Sequence, residues 1–392
     1  MRYNKEKALQ EGGYQMNFDA LTSYLDGLRN VGIPGCDLVV YKDHEPIYRH
    51  FVGMRDREAG IPMDGHEVYW IFSASKVFTC TAALQLLEKN VIGLDDPVSN
   101  YLPAYGLLSV IENGHVRAAQ EVMTLRHLFA MQGGLSYDLN SPSLTKAKYY
   151  GGGHADTRTL IDALAEEPLL FDPGKHFNYS LCHDILAAVI EVASGMKFSA
   201  YLKKNIWSRL GIEETGFVLP DELRGRLAQQ YIYDETTQSS KVHPDGNICV
   251  YTMTPEYESG GAGLYSTVDD YILLSDALAC DGVSKTGKRI LKPETIDLMR
   301  TNQQYGACMD DWNTKINRPG YGYGLGVRTL MDKAKAGYNG SIGEFGWGGA
   351  AGSNCYVDPD RHIAIFYGQH CLNPREEYYQ PRVHNAVYSC MY

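Results

Sequence analysis

The sequence predicts a mixed α/β (α+β) fold: an antiparallel sheet built from N- and C-terminal strands, flanked by helices, with an inserted and mostly helical domain. Two observations predict this arrangement. Short segments rich in β-branched and aromatic residues occur near the start of the chain and again beyond residue 320. From residue 73 to about residue 280, apolar residues recur with helical spacing instead. One sheet that takes strands from both ends of the chain is the simplest way to join these parts.

The N-terminal region begins with a helix and continues with a hairpin. Apolar residues in 17–30 have helical spacing. The segments 36–41 and 47–52 read as two strands, and the polar residues 42–46 between them predict a hairpin turn.

Helices are predicted in the middle of the chain and strands near its end. The predicted helices are 74–89, 124–131, 157–167, 181–194, 198–210, 267–280 and 293–302. The predicted late strands are 323–328, 354–357 and 362–367. A closing helix is expected in 374–392, with a break or a late start at Pro381. We therefore predict one unit over 1–392, with an α/β subdomain (17–75 plus 268–392), a helical subdomain (76–267) and an active-site cleft between them.

Composition restricts the classes of partner. The chain has 392 residues, 44% of them hydrophobic and 21% charged, and its net charge of −11 includes no basic run, so nucleic acid is not an expected partner. No membrane span or signal peptide is visible. Nine cysteines occur singly, without a C-x-x-C pair, which predicts reduced thiols in the cytoplasm and no zinc site or disulfide framework.

An S-x-x-K element, Ser73 to Lys76, begins a long apolar run at 77–87 and follows an aromatic segment at 68–72. Residues three apart share a helix face, so the hydroxyl and the amine would meet at a helix N-terminus, whose positive field favours a developing alkoxide. A serine needs this environment to attack a carbonyl without a histidine base. The alternative is an N-cap serine followed by a solvated lysine.

Two later segments could complete a serine active site. A Pro-Gly turn in 171–180 leads into the helix predicted at 181–194, so Tyr179 could point its hydroxyl into a cleft, where a lysine ammonium would stabilise its phenolate. Glycines in 345–353 would allow a ligand to approach the backbone closely. An N–H of that strand and the N–H of Ser73 would form an oxyanion hole. A packed tyrosine and a sheet bend are the alternatives.

In order and separation, these elements resemble the serine β-lactamase and penicillin-binding-protein superfamily, and most closely the class C β-lactamase-like group that includes the family VIII carboxylesterases. The resemblance implies that Ser73 is the nucleophile and that Lys76 and Tyr179 together are its base. It also implies that the N–H groups of Ser73 and Ala350 bind the oxyanion. The residues implied to contact substrate are Trp347, Gly348, Gly349 and Leu181.

Two departures from the family pattern favour esters over β-lactams. Leu181 stands where an asparagine is expected two residues after the tyrosine, and Trp347 stands where β-lactamases carry a lysine that helps to hold a substrate carboxylate. The W-G-G form resembles the esterase branch. A literal K-T-G at 285–287 lies in a polar stretch between two predicted helices, and we interpret it as a surface loop.

We therefore expect a serine hydrolase that acts through a Ser73 acyl-enzyme, with a carboxylesterase on small esters as the leading hypothesis. A β-lactamase, a D-amino-acid peptidase or an acyltransferase is the alternative within the same chemistry. A non-catalytic binding protein that retains the fold is the alternative of another class. The expected partner is a small-molecule ester or amide, with no cofactor, no metal, no nucleic acid and no membrane. The natural substrate and the oligomeric state stay open.

Overall fold

The computed structural model describes residues 10–11 and 14–391. Its strands, in chain order, are β1 (Gln10–Glu11), β2 (Tyr14–Gln15), β3 (Gly35–Lys42), β4 (Glu45–Asp56), β5 (Ile61–Pro62), β6 (Val68–Trp70), β7 (Ser109–Glu112), β8 (His115–Ala118), β9 (Tyr231–Asp234), β10 (Ser239–Val242), β11 (Tyr265–Thr267), β12 (Tyr321–Tyr323), β13 (Arg328–Leu330), β14 (Phe345–Gly346), β15 (Asn354–Asp358), β16 (Ile363–Gln369) and β17 (Cys371–Leu372). Its α-helices are α1 (Asp19–Gly27), α2 (Ser75–Glu88), α3 (Leu125–Phe129), α4 (Pro142–Tyr150), α5 (Thr157–Leu164), α6 (Cys182–Ser194), α7 (Phe198–Leu202), α8 (Ser208–Leu210), α9 (Asp221–Arg224), α10 (Val268–Ala279), α11 (Pro293–Arg300), α12 (Ala307–Asp311), α13 (Lys333–Ala336) and α14 (Glu376–Ser389).

The central feature is an eight-stranded sheet in the order β12-β13-β14-β15-β16-β3-β4-β5, in which all neighbours are antiparallel. Its strands come from 35–62 and 321–369, and the two ends of the chain meet where β16 pairs with β3. The predicted sheet built from both termini is therefore confirmed. The position of the boundary between the two subdomains stays a prediction.

Helices cover both faces of this sheet. Phe366 of β16 stacks on Tyr271 of α10, with ring centroids 4.0 Å apart. The next residue, Tyr367, lies against Tyr379 of α14 at 5.8 Å. Because successive strand residues point to opposite faces, α10 and α14 lie on opposite sides of the sheet. Helix α1 packs against α14 and β4.

Helix α2 runs through the interior. Its residues from Ser75 to Leu86 are all buried, and it packs against α6. A helix that is apolar on every side belongs in the centre of a domain. The apolar run after Ser73 therefore fixes the serine at the N-terminal end of a central helix.

Most of the long predicted elements are present. The helices expected at 74–89, 181–194, 267–280 and 293–302 are α2, α6, α10 and α11. The strands expected at 354–357 and 362–367 are β15 and β16. In each of these segments the apolar residues continue long enough to predict a buried element.

The strand predicted at 323–328 is wrong. Strand β12 ends at Tyr323 and β13 begins at Arg328, and between them the Gly324 N–H donates to the Val327 carbonyl at 2.8 Å in a tight turn. Gly326 has a φ of +88°, and a Cβ there would lie 2.1 Å from Cys80 Sγ. The glycines therefore serve a turn pressed against α2 and are not part of a strand.

The closing helix is present, but Pro381 neither breaks nor delays it, since α14 runs from Glu376 to Ser389. The carbonyl that Pro381 leaves without a helical donor belongs to Glu377. Glu377 is exposed in the first turn of the helix, where water can hydrate that carbonyl.

The elements that were not predicted include α4 and the hairpins β7–β8 and β9–β10. These segments are polar and partly exposed, so they lack a strong apolar period. Strand β9 also pairs with β17, whose residues lie far away in sequence, and no local pattern encodes that pairing.

Within the described residues, no single helix is long and apolar enough to cross a membrane. One pair of helical segments is long and apolar enough when taken together, but it is bent by 73°; the pair is Cys182–Ser194 and Phe198–Leu210. All nine cysteines are buried free thiols.

Candidate active site

The backbone before Ser73 is held in an unusual conformation. Strand β6 pairs with β11, and the chain then turns through Phe72, whose φ is +43°. This left-handed region is rarely adopted by a bulky residue. Phe72 is fully buried and packs with Cys249 and Ala351, and this packing holds the turn. A 3₁₀ turn over Phe72–Ala74 then carries Ser73 to the start of α2.

Lys76 reaches Ser73, as the spacing predicted. Its Nζ lies 3.4 Å from Ser73 Oγ, and it also donates to the Gly261 carbonyl at 2.7 Å and to the Tyr137 hydroxyl at 3.3 Å. The ammonium lies 4.6 Å from the centre of the Tyr179 ring. Because Lys76 is fully buried, these contacts fix its amine beside the serine and exclude the solvated lysine.

Tyr179 faces the same cavity as Ser73. Its hydroxyl accepts a hydrogen bond from the Trp347 indole N–H at 2.9 Å, and the two rings stack with centroids 5.5 Å apart. No further partner of this hydroxyl occurs among residues 14–391. Since the indole is the donor, the phenol retains its own proton for exchange with a group in the cavity.

Tyr137 also lies at the site, although no sequence motif points to it. It stacks on Tyr179 at 5.7 Å and contacts the Lys76 ammonium. Burial raises the pKa of Tyr137 well above its ordinary value, with Tyr179 as a weaker cause, so its hydroxyl stays neutral. Tyr137 follows the Gly133-Gly134-Leu135 turn, and this position is the sequence feature that could have identified it. Because the chain has 29 tyrosines, the position alone does not distinguish Tyr137 from tyrosines that only pack in the core.

The carbonyl that anchors Lys76 is itself held in place. Asp184, at the start of α6, accepts hydrogen bonds from Tyr257 at 2.7 Å, Ser259 at 2.6 Å and the Gly261 N–H at 3.3 Å. These bonds fix the 257–261 segment and thereby aim the Gly261 carbonyl at the lysine. This support comes from residues far apart in sequence, and no motif pointed to it.

The Gly-rich segment leaves its strand and packs against the chain that precedes the serine. Strand β14 ends at Gly346, and Gly349 and Ser353 close a turn with an N–H···O bond of 2.8 Å. A Cβ on Gly349 would lie 2.2 Å from the Ile71 carbonyl oxygen, so the turn lies directly on the backbone before Ser73. The Gly-rich segment is therefore a strand only over Phe345–Gly346 and then turns. The close approach of a ligand to this backbone stays a prediction.

Two backbone donors remain available beside the serine. In the part of the chain that the structure describes, the N–H groups of Ser73 and Ala350 have no hydrogen-bond acceptor. Both residues line the same cavity. Two such donors are what an oxyanion hole requires. That these two act in this way stays a prediction.

The cavity has a volume of about 690 Å³. The aromatic side chains Tyr179, Tyr251 and Trp347 line it together with Ser73, Gly348 and Ala350. Charged side chains of both signs also line it, namely Glu235, Lys315, Arg318 and Arg375. Because the Tyr179 ring lies beside Lys76 and stacks on Trp347, the lining next to the serine is aromatic.

Arg328 also lines this cavity and is 2% exposed. Its Nη2 donates to the Asn354 side-chain oxygen at 2.8 Å and to the Cys355 carbonyl at 2.9 Å, and its guanidinium lies 4.5 Å from the centre of the Tyr356 ring. Among the described residues it has no carboxylate partner. A buried cation therefore borders the cavity without a counter-ion.

The remaining sequence candidates lie elsewhere. Leu181 does not line the cavity, because it is 1% exposed and packs in the core at the start of α6. The K-T-G at 285–287 is on the surface, where Lys285 pairs with Glu45. His183 is buried beside Cys80 and Phe129, and burial lowers its pKa to about 3, so it serves packing. No three metal-binding side chains converge in the cavity among the described residues.

A protein-family model described as "Beta-lactamase" matches residues 18–385. The chain belongs to this family. Esterase EstB from Burkholderia gladioli is 28% identical over 378 residues, which cover 90% of this chain and 91% of that protein. Monacolin J acid methylbutanoyltransferase from Aspergillus terreus is 30% identical over 239 residues, covering 58% of this chain and 55% of that protein.

A solved structure has the same fold. It is EstCE1, described as a hydrolase with promiscuous acyltransferase activity, with a TM-score of 0.77 and 26% identity over 95% of this chain and 99% of that chain. The predicted family, the fold and the enzyme class of serine hydrolase are confirmed by these matches.

Proposed function

We propose that this protein is a serine esterase that forms an acyl-enzyme at Ser73. The contact between Lys76 Nζ and Ser73 Oγ, at 3.4 Å in the cavity that also holds Tyr179, carries the proposal. A buried amine beside a serine hydroxyl at a helix N-terminus is a means of activating that hydroxyl.

The reaction has two acyl-transfer steps. Ser73 Oγ attacks the ester carbonyl and its proton enters the Lys76–Tyr179 pair, while the N–H groups of Ser73 and Ala350 hold the negative oxygen. The ester C–O bond then breaks, and the alcohol leaves with that proton. Water attacks the acyl-enzyme in the same way, gives a proton to the pair, and releases the acid as the proton returns to Ser73. Which member of the pair is the neutral base stays open.

Small esters are the proposed substrates because the cavity lining next to the serine is aromatic and has Trp347 in place of a lysine. The esterase EstB and the hydrolase EstCE1 support this choice. An alcohol could replace water as acceptor, and the similarity to an acyltransferase favours that second candidate. Adding an acceptor alcohol and measuring the new ester against the free acid separates the two. Nitrocefin and D-amino-acid peptides test the lactamase and peptidase alternatives.

A fluorophosphonate probe tests the nucleophile. One adduct per chain, located on Ser73 by peptide mass and lost in Ser73→Ala, is expected. Ser75→Ala is the matched control: Ser75 lies in the same motif, but its hydroxyl is buried and accepts the Leu264 N–H at 3.1 Å. An adduct that persists in Ser73→Ala would refute the proposal. No adduct at all would favour a binding protein.

We further propose that the protein acts in the cytoplasm on a small ester or amide, without a membrane or nucleic-acid partner. Nine buried free thiols and the net charge of −11 support this proposal. Cell fractionation with an antibody tests the location, and recovery in the exported fraction would contradict it.

A further inference from the structure

Far from the catalytic serine in sequence, three side chains able to bind a metal converge where the β3–β4 turn meets the end of α10. They are His44, Asp276 and Cys280, and their ligand atoms all lie within 4.8 Å of one another. His44 Nδ1 is 2.7 Å from Asp276 Oδ2, and Cys280 Sγ is 3.9 Å from Asp276 Oδ1. The carboxylate and the thiol are one helical turn apart, so both face the turn that carries the imidazole.

The turn that presents the imidazole is conformationally unfavourable for its sequence. Asp43 and His44 have φ values of +51° and +66°, as in a two-residue hairpin turn. Glycine and asparagine are the residues preferred at such positions. Histidine is tolerated there at some cost in backbone energy. This backbone conformation directs the ring of His44 toward Asp276 and Cys280. The residue with the unfavourable φ is therefore the residue that brings the third ligand to the group.

The surroundings favour a cation. Asp276 and Cys280 are 4% and 7% exposed, while His44 is 27% exposed and leaves a path from solvent. The carboxylates of Asp276 and Asp281 act on the Cys280 thiol. Their negative charge attracts a divalent cation, which displaces the thiol proton when it binds.

We propose that His44, Asp276 and Cys280 form a binding site for a divalent transition metal of the Zn²⁺ class. Imidazole nitrogen, carboxylate oxygen and thiolate sulfur are the ligands that Zn²⁺ takes, and three of them leave a fourth position for water. Bond lengths of about 2.0–2.3 Å place such ligand atoms about 3–4 Å apart. The 4.8 Å spread of the group therefore needs to contract by about 1–2 Å at most, and the 2.7 Å between His44 Nδ1 and Asp276 Oδ2 needs to lengthen slightly. Binding releases the thiol proton to solvent and ties the β3–β4 turn to α10.

The sequence predicts no metal site, because the cysteines are single and the ligands are dispersed. His44 is separated from Asp276 by 232 residues, and only the packing of α10 on β3 brings them together. The site is distinct from the esterase chemistry, so neither proposal depends on the other.

Co²⁺ titration of the full-length protein tests the site. A sulfur-to-cobalt charge-transfer band in the near ultraviolet with one equivalent of Co²⁺ is expected, together with release of about one proton. Cys280→Ser should abolish the band, since a hydroxyl preserves the contact to Asp276 but supplies no thiolate. His44→Asn should weaken binding at least about tenfold, because asparagine tolerates the turn conformation but supplies no imidazole.

Cys390→Ser is the matched control, because Cys390 is also 7% exposed and lies outside the group. It should bind Co²⁺ as the unmodified protein does. Zn²⁺ should raise the melting temperature of the unmodified protein in proportion to the logarithm of its concentration, and should not do so for Cys280→Ser. The proposal is overturned if no band forms with excess Co²⁺, or if the band survives in Cys280→Ser.

Discussion

The amine of Lys76 is buried without a carboxylate partner among residues 14–391 and donates to three oxygens, those of Ser73, Tyr137 and Gly261. Two of these oxygens are neutral and fixed, and the third belongs to the proposed nucleophile. The lysine therefore depends on Tyr137 and Gly261 for its position, and Tyr179 is its proposed partner in proton transfer.

Tyr179→Phe and Lys76→Ala should each lower kcat by about 10²–10⁴, the usual contribution of a positioned acid–base group. The double variant should be little worse than either single variant, because the two act as one unit. Steady-state kinetics on a short-chain 4-nitrophenyl ester measures this. Additive losses, or normal turnover in Tyr179→Phe, would show that the base pair is assigned wrongly.

Tyr137→Phe should lower kcat by about tenfold and shift the pH profile, because it removes one hydrogen bond to Lys76 but keeps the aromatic stack. Tyr137 is a positioning residue in this account. Tyr251→Phe is the matched control, since its ring also contacts Tyr137 but its hydroxyl makes no contact with the lysine. Equal effects of the two variants would argue against the positioning role.

Arg328 should give the cavity a preference for esters that carry an anionic group. Arg328→Met should lower kcat/KM for mono-(4-nitrophenyl) glutarate by about 10–100-fold, the contribution of a charge-assisted hydrogen bond. The neutral 4-nitrophenyl butyrate is the internal control for folding and chemistry. A loss of the same size for both esters would mean that Arg328 supports the structure only.

At the scale of elements, the Gly349–Ser353 turn presses on the backbone before Ser73 and places Ala350 beside it. Gly349→Ala should displace this turn, because the added Cβ would meet the Ile71 carbonyl at 2.2 Å. We expect kcat to fall by about 10²–10³ with little change in KM, as for loss of an oxyanion donor. Gly27→Ala, where a Cβ meets nothing within 4 Å, should leave kcat unchanged. An unaffected kcat in Gly349→Ala would show that the Ala350 N–H does not contribute to the oxyanion hole.

Local sequence patterns were sufficient to predict a contact where the two residues are close in sequence. The three-residue spacing brought Lys76 to Ser73, and the apolar run buried α2. Tyr137, Asp184 and Gly261 were not found because the contacts that give them a role span long sequence separations. Leu181 was expected to contact substrate but lies in the core, because the family pattern gave its position in the chain but not the direction of its side chain. The strand expected at 323–328 is a turn because Gly326 packs on Cys80 and Gly324 packs on the Met299 carbonyl, both far away in sequence.

At the scale of the whole molecule, buried histidines couple stability to pH. Burial lowers the pKa of His183 to about 3 and that of His370 to about 4. Between the ordinary histidine pKa of about 6.5 and these values, the unfolded chain binds more protons than the folded one. Each histidine therefore reduces the free energy of unfolding as the pH falls through this range. Burial raises the pKa of Asp37 to about 7, so Asp37 has the opposite effect on the free energy of unfolding.

The difference between wild type and His370→Asn isolates one of these groups. The His370 Nδ1–H donates to the Gln229 carbonyl at 2.6 Å, and an asparagine amide preserves that bond. From pH 6.5 to 4, the variant should lose less stability than wild type, by about 1.4 kcal/mol for each pH unit. Urea unfolding at several pH values measures this. Parallel pH profiles would contradict the buried, neutral state of His370.

Trapping the acyl-enzyme during turnover shows directly whether Ser73 carries the acyl group. Acid quenching with a slowly hydrolysed 4-nitrophenyl ester, followed by peptide mass spectrometry, should show the acyl mass on the peptide that contains Ser73, with a matching burst of 4-nitrophenol. The acyl group should be absent from Ser73→Ala and present in Ser75→Ala. Turnover without any acyl-peptide, or an acyl group on another residue, would contradict the account.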